Sequence, residues 1–228
     1  MEGIWVRRRL THSGRVGGSL NLIAAPIEFY FDFVSPYGYL AATQIETLAR
    51  HHGRTVQWHP FLIGVTVMQV MGLKPLMETP LKSDYLLIDR PRMAKILGVP
   101  LTIPDMRSVN SLAACRAFYW QNERDPEVAR ALAMRLLRRL WVDGRDITTT
   151  DAVAEEGESL GIDTGELRAA VEDVRIKALL RDAVDRAISK KVFGSPFFIV
   201  DGEPIWGVDR LWMVEYWLKN KSWDPHDA

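Results

Sequence analysis

The 228-residue chain is poor in three features that define large classes of proteins: cysteine, net charge and long apolar runs. Cys115 is its only cysteine, which excludes an intramolecular disulfide and fits a reducing compartment. Lys and Arg together number 29, as do Asp and Glu, so no overall field attracts nucleic acid or an anionic membrane. No apolar run approaches the roughly 20 residues that span a bilayer. We therefore expect a soluble, cytoplasmic protein that binds neither nucleic acid nor membrane.

Two further parts of the chain lack the pattern that a functional site would need. Residues 1–26 contain three consecutive arginines and several glycines without sustained periodicity, which indicates a disordered leader or a start codon placed too far upstream. His51, His52 and His59 are not spaced to share one face, and no Cys-His cluster accompanies them. We therefore expect no metal site.

The first clear structural pattern follows the leader. Residues 27–34 are almost all apolar or aromatic, which predicts a central strand covered on both faces, with Asp32 as the exception. An amphipathic helix is predicted next, because Ser35 is a favoured N-cap, Pro36 a favoured first residue and Gly53 a favoured terminator. A strand therefore runs directly into a capped helix.

A second strand is predicted directly after this helix. Val56 and Trp58 alternate with polar neighbours, and Pro60 ends the run. A strand, a helix and a strand at this spacing predict a βαβ unit with parallel strands and a right-handed crossover.

The remainder of the chain is first helical and then returns to strands. From about residue 65 to 190 nearly every pattern is helical, including one continuous pattern over 163–192. An apolar run over 197–200 follows, then the type I′ hairpin signal Asp201-Gly202 and the returning strand "EPIWG". A last amphipathic helix is predicted in "DRLWMVEYWLKN".

Five motifs in this order resemble one known group of proteins. They are "FYFDFVSPYGYL", "PLKSDYLLIDRPRMAKILGVPL", "SVNSLAACRA", "VFGSPFF" and "WGVDRLWMVEYWL". The sequence resembles the DsbA-like branch that contains 2-hydroxychromene-2-carboxylate isomerase and the kappa-class glutathione transferases, over roughly residues 26–220. The resemblance implies an α/β, thioredoxin-like fold with an inserted helical subdomain. Residues 27–64 and 191–222 would form the thioredoxin-like domain, and 65–190 the insert.

The resemblance gives Ser35 a chemical role. Redox-active thioredoxin folds carry Cys-x-x-Cys at this turn, where the helix N-terminus acidifies the first thiol. Ser35 and Gly38 occupy the two cysteine positions, so protein groups alone cannot exchange a dithiol here. The resemblance implies that glutathione brings the thiol and that Ser35, as the catalytic residue, holds and acidifies it. Gly38 departs from the serine that many relatives have in "SPYSYL".

Other positions are assigned to ligands by the same resemblance. Pro196 matches the cis-proline of thioredoxin folds, and the main chain of Ser195 would bind the cysteinyl part of glutathione. Val208 and Asp209 would bind the γ-glutamyl group, and Lys82 the glycine end. Asn110 and Tyr37 are assigned to the substrate side.

Each assignment has a structural alternative. Ser35 and Asp209 are also good helix caps, and Pro196 is suited to rigidify the approach to a hairpin. Lys82 is equally compatible with a solvated lysine, and Asn110 with local capping of a helix start.

The resemblance implies a glutathione-dependent isomerase acting on an aromatic-derived compound during its breakdown. The glutathione thiolate would add reversibly to a conjugated carbon, which frees the former double bond to rotate, so glutathione would not be consumed. A kappa-like transferase or peroxidase and a non-catalytic thioredoxin-like binding protein remain alternatives, and a dithiol oxidoreductase ranks last. Because relatives are commonly dimers, a homodimer is expected.

Overall fold

The computed structural model describes residues 24–106 and 109–226, so most of the predicted leader, 1–26, lies outside the described residues. The strands in chain order are β1 Ile27–Phe31, β2 Val56–Pro60, β3 Phe197–Val200 and β4 Glu203–Trp206. The helices in chain order are α1 Pro36–His51, α2 Lys82–Leu97, α3 Leu112–Asn122, α4 Pro126–Trp141, α5 Thr150–Glu158, α6 Thr164–Glu172, α7 Val174–Ser189 and α8 Leu211–Asn220. A π-helical segment, Val65–Val70, and two short 3-10 turns, Leu76–Glu78 and Val208–Arg210, complete the elements.

The strands form one mixed sheet in the order β2-β1-β3-β4. Phe29 in the centre of β1 pairs with Trp58 of the parallel β2 on one side and with Phe198 of the antiparallel β3 on the other. The predicted parallel βαβ unit is confirmed. The predicted hairpin is also confirmed, because Asp201 and Gly202 both have positive φ, 55° and 94°.

Aromatic side chains fill one face of this sheet. The ring of Phe29 lies 5.0 Å from that of Phe31, 5.1 Å from that of Trp58 and 5.5 Å from that of Phe198. The Trp58 indole N–H donates to Glu46 of α1 at 2.7 Å, which fixes α1 over the same face. Packing against these aromatic side chains, more than the intrinsic helix propensity of its residues, stabilises α1.

The segment between β2 and β3 is helical, and two of its side chains tie it to the sheet. The Tyr119 hydroxyl of α3 donates to the Pro60 carbonyl at 2.7 Å, and the Trp141 indole of α4 donates to the Phe33 carbonyl at 2.8 Å. The second bond holds the turn that leads into α1. The assignment of 65–190 as a subdomain stays a prediction. Within the described residues, the helices are too short or too polar for any to cross a bilayer.

Two predicted elements differ from the observed ones for local reasons. β1 ends at Phe31 rather than near residue 34, because Asp32 forms a turn with the residues that follow it. The Asp32 side chain accepts the Val34 N–H, and the Asp32 main-chain carbonyl accepts the Ser35 N–H. The continuous helical pattern over 163–192 is two helices. Asp173 separates them, since its extended backbone ends α6 and its side chain caps α7.

Candidate active site

Ser35 lies at the N-terminus of α1, and its side chain caps the helix. Its backbone is extended, and its Oγ accepts the Gly38 N–H at 3.1 Å. Pro36 has no N–H, and the Tyr37 amide forms no hydrogen bond with the described part of the chain. The helix therefore presents a free amide beside Ser35, at the end where the macrodipole favours an anion.

The Ser35 hydroxyl also faces the loop before β3. It donates to the Ser195 carbonyl at 3.0 Å, across 160 positions of the chain. The bond between Ser195 and Pro196 is cis, as predicted. Ser35, Ser195 and Pro196, three of the predicted site residues, therefore lie together, and both serines are buried.

Ser195 contributes its side chain as well as its main chain to this arrangement. Its Oγ accepts the Asp32 N–H at 2.9 Å. The same Oγ would lie 2.7 Å from a Cβ at position 38, and the Asp32 carbonyl would lie 3.1 Å from it. Gly38 thus leaves no room for the serine expected from relatives unless Ser195 moves.

Asp32, the polar exception in the strand pattern, connects three parts of the site. Its carboxylate accepts the N–H of Val34 at 3.1 Å and of Ile63 at 2.8 Å, so it joins the turn before α1 to the loop after β2. Burial raises the pKa of the Asp32 carboxyl, while hydrogen bonds, first of all from Ser111, oppose the rise. This buried carboxyl therefore positions the loop that carries Ser35.

The turn that precedes α8 completes one side of the site. The Gly207 N–H donates to the Pro196 carbonyl at 3.1 Å, and the turn Val208–Arg210 packs on α1. Val208 is buried, whereas the Asp209 side chain is exposed and lies 3.4 Å from the Arg210 guanidinium. Gly207 is required here, because its φ is 104° and a Cβ would lie 2.3 Å from the Asp209 carboxylate.

Tyr37 connects the site to α2. Its hydroxyl donates to Asp89 at 2.6 Å, and the other oxygen of that carboxylate accepts the Tyr85 hydroxyl at 3.0 Å. The pKa of the Tyr37 phenol is raised, first by burial and then by the Asp89 carboxylate, so the phenol stays protonated and keeps donating.

The two remaining predicted residues lie at helix starts. Lys82 is the first residue of α2 and its side chain is exposed. Asn110 is exposed and its Oδ1 accepts the Leu112 N–H at 3.1 Å, which is the local capping interaction considered from the sequence. That bond leaves its amide N–H groups available to a ligand.

The donors and acceptors near Ser35 suit a thiol-bearing peptide such as glutathione. The Tyr37 amide and the Ser35 hydroxyl can donate to a sulfur anion, and the Ser195 main chain can pair with an extended peptide. The Asp209 carboxylate suits an ammonium group. Within the described ranges, no group of three or more His, Cys, Asp or Glu side chains is arranged to hold a metal ion.

Comparisons with known proteins identify the family. The model of the DsbA-like thioredoxin domain matches residues 26–219. The chain belongs to this family. It is 31% identical over 193 residues to the 2-hydroxychromene-2-carboxylate isomerase of Sphingobium xenophagum, covering 84% of this chain and 97% of that relative.

Two further comparisons place this DsbA-like protein within the predicted branch. It is 28% identical over 207 residues to glutathione S-transferase kappa 2 of Caenorhabditis elegans, covering 84% of this chain and 91% of the relative. A solved structure of 2-hydroxychromene-2-carboxylate isomerase superposes with a TM-score of 0.76 at 28% identity, covering 83% of this chain and 92% of the other. The predicted resemblance and the thioredoxin-like fold are thereby confirmed.

Some residues of this DsbA-like site were not predicted as site residues. Asp32 is a polar residue in an otherwise apolar strand pattern, and this exception indicated a buried polar side chain with a specific role. Asp89 and Tyr85 are four residues apart, which indicates a contact on one helix face, but nothing in the sequence connects Asp89 to Tyr37. Arg90, buried on α2 directly after Asp89, gave no sequence signal at all.

Proposed function

We propose that this protein is a glutathione-dependent isomerase similar to 2-hydroxychromene-2-carboxylate isomerase, acting on an aromatic-derived compound during its breakdown. The observation that carries the proposal is the Ser35 hydroxyl at the N-terminus of α1, next to the cis-proline loop. A hydroxyl there suits a reaction in which an external thiol supplies the reactive sulfur.

The protein itself offers no thiol for the reaction. Its one cysteine, Cys115, is fully buried in α3. Burial raises the pKa of its thiol well above the usual range, so a thiolate is disfavoured there. This supports a sulfur nucleophile that arrives with a ligand.

The protein's own groups would bind and orient the reactants. Glutathione, when bound, supplies a nucleophilic thiol that is regenerated at the end of the cycle. Ser35 and the Tyr37 amide would donate hydrogen bonds that favour the ionised sulfur. The main chain of Ser195, beside Pro196, would hold the ligand's peptide backbone, and Val208 with Asp209 its γ-glutamyl end. Lys82 would approach the glycine carboxylate, and Asn110 and Tyr37 would line the substrate side.

Isomerisation of 2-hydroxychromene-2-carboxylate by the purified protein tests the proposal. We expect turnover that requires glutathione while the glutathione concentration stays constant, because the thiol is released in each cycle. Absorbance of substrate and product, together with a thiol assay, measures both quantities. Absence of glutathione-dependent turnover would contradict the substrate assignment.

A kappa-like transferase is the second candidate, and the similarity to glutathione S-transferase kappa 2 supports it. The same residues would then hold glutathione during conjugation to an electrophile or reduction of a peroxide. Loss of glutathione in step with product formation would favour transfer over isomerisation.

A further inference from the structure

Arg90 of α2 is a buried cation with no counter-charge among the described residues. Only 3% of its surface is exposed. Its Nε donates to the Leu86 carbonyl of the same helix at 3.0 Å, whereas Nη2 is buried and has no hydrogen-bond partner. Nη1 makes no hydrogen bond either, and Arg90 forms no salt bridge with any residue in 24–106 or 109–226.

The neighbouring carboxylate does not neutralise this charge. Asp89 precedes Arg90 in the chain, but its two oxygens accept the hydroxyls of Tyr37 and Tyr85. An unpaired buried charge is strongly unfavourable, and a guanidinium cannot escape the cost by losing its proton. A buried guanidinium without a counter-charge therefore indicates that an anionic ligand pairs with it when the ligand binds.

The position of Arg90 indicates where that anion would bind. Leu86, Arg90 and Ala94 form the face of α2 that packs towards α1. The Tyr37 hydroxyl donates to Asp89, the residue before Arg90, at 2.6 Å, and Tyr37 lies two residues after Ser35. Arg90 therefore directly follows the residue through which α2 contacts the first turn of α1.

We propose that Arg90 is a specificity-determining residue that binds the carboxylate of the substrate through Nη1 and Nη2. This inference rests on the proposed function for the identity of the substrate, a small aromatic-derived carboxylic acid. Two N–H groups on one planar guanidinium match the two oxygens of a carboxylate. The bound carboxylate would sit beside Tyr37, which would place the conjugated part of the substrate near the thiol held by Ser35.

Binding of benzoate and of its neutral analogue benzamide tests this proposal without any reaction. Calorimetric titration would compare the wild type with Arg90→Met, Arg90→Lys and the control Arg92→Met, which removes an exposed arginine from the same helix. We expect Arg90→Met, which removes both N–H contacts to the carboxylate, to weaken benzoate binding by at least about tenfold and to leave benzamide binding unchanged. Arg90→Lys should bind with intermediate affinity, and Arg92→Met like the wild type.

Three results would overturn the proposal: no benzoate binding by the wild type, equal benzoate binding by wild type and Arg90→Met, or a marked loss of stability in Arg90→Met. The last would make Arg90 structural, whereas removal of an unpaired buried charge should leave the melting temperature equal or higher.

Failure of the proposed function has a different signature. A wild type that binds benzoate through Arg90 but does not isomerise the chromene carboxylate refutes the isomerase and leaves the anion site intact. An active wild type whose KM is unchanged by Arg90→Met refutes the anion site alone. In both cases glutathione binding by Arg90→Met should match that of the wild type.

Discussion

At the scale of single residues, the observed helix cap of Ser35 must be separated from its proposed role in binding a sulfur anion. Its Oγ accepts the Gly38 N–H as a helix cap and its hydroxyl donates to the Ser195 carbonyl. Capping concerns stability and needs only an oxygen acceptor. Binding a sulfur anion needs the hydroxyl proton, which would turn from the Ser195 carbonyl to the ligand.

Ser35→Ala removes both roles, and Ser35→Thr keeps both. We expect the alanine variant to lose about 1 kcal/mol of stability through the cap. Glutathione-dependent turnover should fall by about 10²–10³, as for other single donors to a developing anion. The threonine variant should retain most of both properties.

The decisive measurement is the pKa of the bound thiol, followed by the ultraviolet absorbance of the thiolate. Loss of a charge-assisted hydrogen bond should raise that pKa by about 1–2 units in Ser35→Ala. A cap that acts only on stability would leave the thiol pKa unchanged, and that result would remove Ser35 from the catalytic role.

Gly38 and Ser195 form a coupled pair at the same scale. Gly38→Ala should cost about 1–3 kcal/mol, because its Cβ would lie 2.7 Å from Ser195 Oγ. Ser195→Ala should cost about 1 kcal/mol, because the Asp32 N–H loses its acceptor. The double variant should be more stable than the sum predicts by at least about 0.5 kcal/mol, since the clash disappears. Urea unfolding measures all three values, and strict additivity would contradict the coupling.

At the scale of secondary-structure elements, α2 is held against α1 by one long-range hydrogen bond. The Tyr37 hydroxyl bonds to Asp89 across 52 positions, whereas the Tyr85 hydroxyl bonds to the same carboxylate within α2. Tyr37→Phe therefore removes a bond between the helices, and Tyr85→Phe removes one within a helix.

We expect Tyr37→Phe to accelerate amide hydrogen exchange throughout α2 by about tenfold or more, because a bond to a charged acceptor contributes roughly 1.5–3 kcal/mol. Tyr85→Phe is the matched control, with an exposed hydroxyl and a smaller expected effect. Exchange mass spectrometry over Lys82–Leu97 measures both. Equal exchange in the two variants would show that Asp89 does not hold α2 to α1.

The elements also show what local sequence can and cannot predict. Ser35, Pro36 and Gly53 marked the ends of α1 correctly, because caps and terminators act on their own neighbours. The hairpin at Asp201 was predictable for the same reason. The break at Asp173 was missed because an aspartate within an amphipathic pattern can be either a surface residue or a helix cap. Only the backbone conformation at Asp173, which is extended, distinguishes the two.

The site was predictable only where the resemblance supplied it. Ser35 and Ser195 are 160 positions apart, and no local pattern connects them. The assignment depended on knowing which loops meet in this fold. The sequence could not predict that Asp89 and Arg90 belong to the candidate site. Their contacts depend on the packing of α2 against α1 and not on the local sequence of α2.

At the scale of the whole molecule, one partly buried ion pair joins the two ends of the described chain to the sheet. Arg54, before β2, donates to Asp201 of the hairpin at 2.7 Å and to the Ala25 carbonyl at 2.7 Å. Lys221, after α8, donates to the same carboxylate at 2.7 Å. The Arg54 side chain is only 4% exposed, so the loss of its partner would leave a nearly buried charge.

This arrangement predicts that the protein loses stability as the pH falls. The hydrogen bond from Arg54, followed by that from Lys221, lowers the pKa of Asp201 from 3.8 to about 2, although burial opposes the shift. Because the folded pKa is the lower one, the stabilisation is complete above about pH 4. It is lost as the pH falls from there through about 2.

Asp201→Asn tests this directly, since asparagine tolerates the positive φ of 55° at that position. After allowance for solvent screening of the partly exposed carboxylate, we expect a loss of about 1–2 kcal/mol at neutral pH. The difference from wild type should shrink as the pH falls from about 4 through about 2 and approach zero below that, because the wild-type carboxylate becomes protonated and resembles the amide. The control is Glu203→Gln in the same hairpin, whose side chain accepts from the neutral Trp223 indole at 3.0 Å. The stability loss of Glu203→Gln at neutral pH should be smaller than that of Asp201→Asn. A loss for Asp201→Asn that persists unchanged down to pH 2 would mean that charge at Asp201 does not hold the chain ends together.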